Sequence, residues 1–225
     1  TVISSKNELK KIKHHDSKTL ALGSILKYEM LQFENQSKEK EILYIARPYI
    51  FSTYRTLLDN SSGKVMYQSC SDILSVIDKN SLKLDIKLHP SGEKNAYSFF
   101  SDITRLNTYK NINIIYGRSA ESIFESYNLI IFDYLGTALL SFLLTHRVRV
   151  ILYLINFDIL KISEIVKDDL RSRCHIARNP EELNFFISKY LSGDLELKWN
   201  EDFVDKYIYP VAEGNPGENI ANYIR

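Results

Sequence analysis

The chain has 225 residues, 44% of them hydrophobic and 25% charged, with a formal net charge of +1. Such proportions belong to a globular protein with a substantial core, and near-neutrality gives no argument for an electrostatic nucleic-acid binder. The two cysteines, Cys70 and Cys174, match no zinc spacing, and the longest apolar stretch, residues 148–155, is interrupted by Arg149 and far too short for a membrane helix.

Residues 1–40 differ in character from the rest. KNELKKIKHH and QSKEKE are charge-rich, and the apolar run between them, LALGSILKYEMLQF, reads as one packing helix in a linker. No signal peptide is visible, and the absence of a starting methionine leads to the expectation of a piece cut from a longer protein. Alternation begins at ILYIA, residues 42–46, a buried strand that breaks at Arg47-Pro48. KVMYQ, residues 64–68, reads as a short strand; Ser71 or Asp72 then caps a helix to about residue 79, with Ile73, Leu74, Val76 and Ile77 inward.

Residues 82–88 are the next strand and 96–106 an amphipathic helix. A strand over 112–116, a short helix over 120–126, a strand over 129–132 and a helix over 137–145 follow. A strand over 148–154, a helix over 162–170, a strand over 174–177 and a helix over 181–191 started by Pro180 complete the pattern. Strand and helix alternate with crossovers of about 10 to 20 residues, which predicts an α/β fold: a Rossmann-like, doubly wound, mostly parallel sheet of five to seven strands. The expected organisation is a helical connector over 1–40, the nucleotide-binding domain over 41–192, and C-terminal helices over 193–225 that pack on the domain or on a partner domain.

Three strand ends carry the chemistry, because loops at the carboxyl ends of parallel strands aim side chains and N–H groups into one crevice. The first is KLHP, where Lys87 and His89 project to one face and Pro90 turns the chain. His89 either meets a phosphate oxygen or donor hydroxyl, with Lys87 adding charge, or satisfies a loop carbonyl. The second is YGRSAES: Gly117, Arg118 and Ser119, the serine readable as a ligand contact or as a plain N-cap. The third is FDYLGT, where Asp133 is placed to accept from sugar hydroxyls and Gly136-Thr137 leave N–H groups for an anion, or where both simply cap a turn. Arg47, after the first strand, either reaches a diphosphate or lies on the surface. The acidic pairs Asp168-Asp169 and Glu181-Glu182 read as solvated, and no GxSxG, Walker or GxGxxG motif occurs.

A strand ending in K-x-HP, a later strand-loop-helix, and an apolar strand running into D-Y-x-G-T together resemble the C-terminal, donor-binding half of GT-B glycosyltransferases. The nearest group is the bacterial surface-polysaccharide one, with capsule-type Kdo transferases and CDP-glycerol glycerophosphotransferase-like enzymes. The resemblance covers residues 42–191 and implies that His89 is the HP histidine, and that Asp133, Tyr134, Gly136 and Thr137 face the nucleotide donor. The helix after the motif, ALLSFLL, lacks the acid common in the family, and THRVRV lacks the usual proline.

The resemblance implies a nucleotide-sugar-dependent glycosyltransferase with His89 catalytic. Donor phosphates would meet Arg47, Lys87, Gly117, Ser119, Asp133, Tyr134, Gly136 and Thr137. No metal and no tightly bound cofactor is expected, only a nucleotide-sugar or CDP-linked donor as substrate. Expected partners are an N-terminal acceptor domain, a second copy of the chain, and the membrane surface for the full-length protein, in the cytoplasm at the inner face. The alternatives are a CDP-glycerol-type glycerophosphotransferase and a degenerate α/β module that binds a partner protein through its aromatic tail. A crevice open and polar marks the enzyme; one filled by bulky side chains or covered by the tail marks the module.

Overall fold

Apolar, β-branched segments separated by helical periods pair into a single large sheet in the computed structural model. It describes residues 2–3, 20–21, 40–47, 63–88, 109, 111–135, 138–160, 162–203, 206–207, 218 and 221. In chain order the elements are β1 (Val2–Ile3), β2 (Leu20–Ala21), β3 (Lys40–Ile45), α1 (Gly63–Lys79), β4 (Leu84–Lys87), β5 (Ile112–Ile115) and β6 (Tyr127–Phe132). Then come α2 (Ala138–Leu144), β7 (Arg149–Tyr153), α3 (Glu164–Arg173), β8 (His175–Ala177), α4 (Pro180–Leu191) and the single turn α5 (Glu201–Phe203).

β1 and β2 pair in parallel as a separate two-stranded sheet. Leu20 and Ala21 are therefore extended, and not part of the packing helix read from the sequence; the rest of the connector lies outside the described residues. The other six strands are all parallel, in the order β5-β4-β3-β6-β7-β8. Counted from β3 this is the doubly wound Rossmann order, in which the winding reverses between β3 and β6.

Alternating side chains feed two buried clusters, one on each face, as a parallel sheet covered on both sides requires. On one face Ile42, Tyr44, Leu129, Ile131, Ile151 and Tyr153 pack against α1 and α4. On the other, Leu43, Ile45, Ile130, Phe132, Val150 and Leu152 pack against α2, α3 and the segment around Phe124. The sequence reading of a Rossmann-like α/β fold is the fold observed.

Three element readings differ. KVMYQ is the first part of α1, because Cys70, Ile73, Leu74 and Ile77 carry one apolar stripe along a helix that starts at Gly63. Asp72 is thus no cap: mid-helix, it accepts from Gln68 Nε2 at 2.7 Å and from the Tyr153 hydroxyl at 2.6 Å. Residues 120–126 hold only a turn and a 3-10 segment, Phe124–Ser126, since Ala120, Ile123 and Phe124 dip into the core within one turn. The expected helix over 96–106 lies outside the described residues.

The tail joins the domain. Leu195 enters one cluster and Phe203 the other, and Tyr207 lies against Phe203 with ring centroids 5.1 Å apart. Asp169, read as solvated, holds this tail: it accepts from the Tyr207 hydroxyl and Lys206 Nζ, each at 2.6 Å, and Lys206 first of all keeps its carboxyl below the usual range.

Candidate functional site

Strand register brings the tips to one level. Ile115, Lys87, Ile45, Phe132 and Leu152 stand side by side across β5, β4, β3, β6 and β7. The residues just beyond them therefore share the carboxyl edge of the sheet, where open α/β sheets hold ligands beside the winding reversal.

Arg47 and Asp133 meet at that reversal, 86 residues apart in sequence. The Asp133 Oδ2 accepts from Arg47 Nε at 2.9 Å, Oδ1 accepts from the Arg47 backbone N–H at 3.2 Å, and Arg47 Nη2 donates to the Asp133 carbonyl. Both side chains are nearly enclosed, 8% and 1% exposed. Beneath them the Tyr44 hydroxyl also bonds the carboxylate, next to the Cys70 thiol. Burial pushes the Asp133 carboxyl above its ordinary value, with Arg47 opposing the shift; burial also raises the Tyr44 phenol and the Cys70 thiol. The Arg47 guanidinium lies 5.9 Å from the centre of the Tyr134 ring, which itself sits 6.1 Å from Phe132. Arg47, Asp133 and Tyr134 are thus brought together, and the carboxylate read as accepting from sugar hydroxyls is engaged by protein donors.

Lys87 is buried at the end of β4 and its Nζ donates to the Leu88 carbonyl at 2.6 Å. Gly117, Arg118 and Ser119 are exposed at the tip of the edge strand β5. Gly117 takes a left-handed φ of +66°, which favours glycine, and Ser119 caps the turn by accepting from the Ser122 N–H at 3.2 Å. His89, Gly136 and Thr137 lie outside the described residues.

Between the ends of β3, β6 and β7 and the flank of α1 is a recess of about 20 Å³, lined by Arg47, Ser69, Asp133, Tyr134, Asn156 and Leu160 among others. No residue of the described tail lines it, but Tyr134, Leu135, Leu154 and Phe157 crowd it, so the crevice is uncovered by the tail yet narrow and largely apolar. Sequence reasoning missed Ser69 and Asn156: neither belongs to a motif, and Ser69 falls between the strand read over residues 64–68 and the helix read from Ser71 or Asp72. A roomier cleft of about 340 Å³, lined by Asn128, Arg149, Tyr190 and Gly193, opens at the opposite edge of the sheet, and Arg149 is held there by the Leu195 carbonyl at 2.9 Å. Parallel α/β sheets place ligand loops at carboxyl ends, so the smaller recess is the better candidate. Among the described residues no group of His, Cys, Asp or Glu is placed to hold a metal ion, and no helix is long and apolar enough to cross a membrane.

No protein-family model and no curated protein matches the sequence. Among solved structures, UDP-GlcNAc 2-epimerase from Methanocaldococcus jannaschii in complex with UDP-GlcNAc and UDP aligns with TM-score 0.56 and 17% identity, covering 97% of this chain and 58% of that one. A second structure of that epimerase gives TM-score 0.54, 16% identity, and coverage of 97% and 59%. The likeness shows a shared Rossmann-like α/β fold. The wall teichoic acid polymerase TagF aligns at TM-score 0.47 and 14% identity, covering 99% of this chain and 54% of that one. The chain thus spans less than three fifths of the length of each of these proteins.

Proposed function

We propose that the chain is the donor-binding half of a nucleotide-sugar-dependent glycosyltransferase that builds a bacterial surface polysaccharide. The observation that supports this reading is the polar pair at the winding reversal: Arg47, held by Asp133, lies between the tips of β3 and β6, where open α/β sheets bind their ligands. The solved epimerase of like fold contains UDP-GlcNAc and UDP, which favours a nucleotide-sugar over the CDP-glycerol reading.

In the proposed reaction the bond from the anomeric carbon to the diphosphate oxygen breaks, and that oxygen keeps the electron pair. The acceptor hydroxyl oxygen bonds the same carbon and loses its proton to a base supplied by the acceptor domain. His89, Arg47 and Lys87 meet the negative charge that develops on the departing nucleoside diphosphate, while Gly136 and Thr137 seat its phosphates. Such leaving-group stabilisation proceeds without a covalent intermediate or a tightly bound metal.

Calorimetry with CMP, CDP, UDP, GDP and ADP tests the proposal. At least one of the diphosphates should bind, and His89→Ala and Thr137→Ala should each weaken it by roughly tenfold, as loss of a charge-assisted hydrogen bond does. Absence of binding by all five, or unchanged binding in both variants, would refute it. If the full-length protein interconverts UDP-sugars without an acceptor, the reaction is epimerisation and the transfer reading falls.

A further inference from the structure

A buried hydroxyl with no partner is uncommon in folded proteins and calls for a specific explanation. Ser69 Oγ is one: the residue is 1% exposed and, among the described residues, its oxygen has no hydrogen-bond partner. Ser69 does not face the apolar cluster alone, because it lines the recess at the winding reversal together with Arg47 and Asn156. α1 runs from Gly63 to Lys79, so Ser69 lies in its interior and does not serve as a cap.

The recess is selective in two respects. Its volume of about 20 Å³ is room for about one water-sized group. Its lining is mostly apolar, and the polar side chains in it besides Asp133 are the Ser69 hydroxyl, the Asn156 amide and the Arg47 guanidinium, the last already paired with Asp133. The carboxylate of Asp133, which would repel an anion, has both oxygens occupied by Arg47. A group that only accepts hydrogen bonds fits this set best.

We propose that the recess is a subsite for one non-bridging oxygen of a phosphate group, and that Ser69 donates the hydrogen bond that fixes it. The proposal deepens the donor-binding reading and rests on it for the identity of the rest of the ligand. Ser69 then distinguishes phosphorylated from unphosphorylated ligands, while contacts to base and sugar lie elsewhere.

The test uses the full chain and three variants, Ser69→Ala, Ser69→Thr and Asn156→Ala, with inorganic pyrophosphate, the nucleoside diphosphates above and their parent nucleosides as probes. Ser69→Ala removes an unsatisfied hydroxyl, so its unfolding midpoint should equal or exceed that of the wild type. Its affinity for pyrophosphate and for the tightest diphosphate should nevertheless fall roughly three- to tenfold, with nucleoside affinity unchanged. Ser69→Thr keeps the hydroxyl and should retain more affinity than Ser69→Ala. Unchanged diphosphate affinity in Ser69→Ala overturns the proposal, as does a midpoint lowered by several degrees, which would assign the hydroxyl to a structural water. Pyrophosphate binding that depends on Ser69, with no nucleotide bound more tightly than pyrophosphate, sustains the subsite and overturns the donor reading. Failure of the wild type to bind any of these probes overturns both.

Discussion

Arg47 and Asp133 form a buried pair in which each group is the other's main compensation for lost water. Removing one partner of such a pair leaves an uncompensated charge and commonly costs about 3 kcal/mol or more. Asp133→Ala should therefore lower the stability measured by urea unfolding by about that amount, and adding Arg47→Ala should cost less than the sum of the single changes. Additive losses would show that the pair is not coupled. Burial also sets the chemistry of the cysteines: it raises the Cys70 thiol well above its ordinary value and pushes Cys174 up to about 12. Thiolate is the reactive form, so neither residue should be alkylated by iodoacetamide in the native protein at pH 8, and both should react after unfolding. Rapid native labelling followed by mass spectrometry would contradict the buried placement.

At the level of elements, the helices on one face are tied down by Arg173. This fully buried guanidinium donates to the carbonyls of Leu144 at 2.9 Å, Leu143 at 3.4 Å and Lys198 at 3.0 Å, and also to His146. It therefore closes the C-terminus of α2, the C-terminus of α3 and the tail in one knot, with Trp199 stacked 4.9 Å from it. A lysine has no planar fork to span these carbonyls. Arg173→Lys should lower the unfolding midpoint and loosen residues 195–207 to limited proteolysis, and Arg173→Ala should do so more severely. Intact resistance in both would mean the tail is held by its apolar contacts alone. The start of α4 provides a smaller and cleaner case. Asn179 accepts from the Glu182 N–H at 2.8 Å, Pro180 occupies the first turn, and two acids follow. Asn179→Ala should cost about 1 kcal/mol, the usual value of such a cap, measurable by urea unfolding.

For the whole molecule, pH should act through His175 at the end of the sheet. Burial lowers its pKa, opposed by a hydrogen bond between Nε2 and the Glu196 carbonyl at 3.1 Å. With the folded value below the unfolded one of about 6.5, the unfolded chain takes up the proton first as pH falls. Stability is then level above about pH 7 and declines below it, down through the lowered folded value. The urea midpoint of wild type should drop between about pH 7 and pH 5.5, and His175→Gln should be flatter over the same interval. An equal slope in the variant would assign the acid sensitivity to other groups.

What the sequence determined by itself was local. The runs ILYIA, LDIK, YNLIIF and RVILY are too apolar to face water and too short for helices, and the segments after them carry helical periods or caps. Parallel direction and the position of the tips follow from that alternation. KVMYQ misled because five residues satisfy a strand pattern and a helix pattern equally, and only the stripe that continues through Ile77 decides between them. In the aromatic tail Trp199 and Tyr207 are both half-buried, Tyr207 against Asp169 of α3 and Trp199 against Arg173. Tertiary structure alone decided that β3 lies next to β6, since nothing in either strand specifies its neighbour. That adjacency brings Arg47 onto Asp133 and encloses Ser69. Two residues read as independent ligand contacts thereby became one ion pair, because burial at the winding reversal makes an unpaired charge too costly to leave alone.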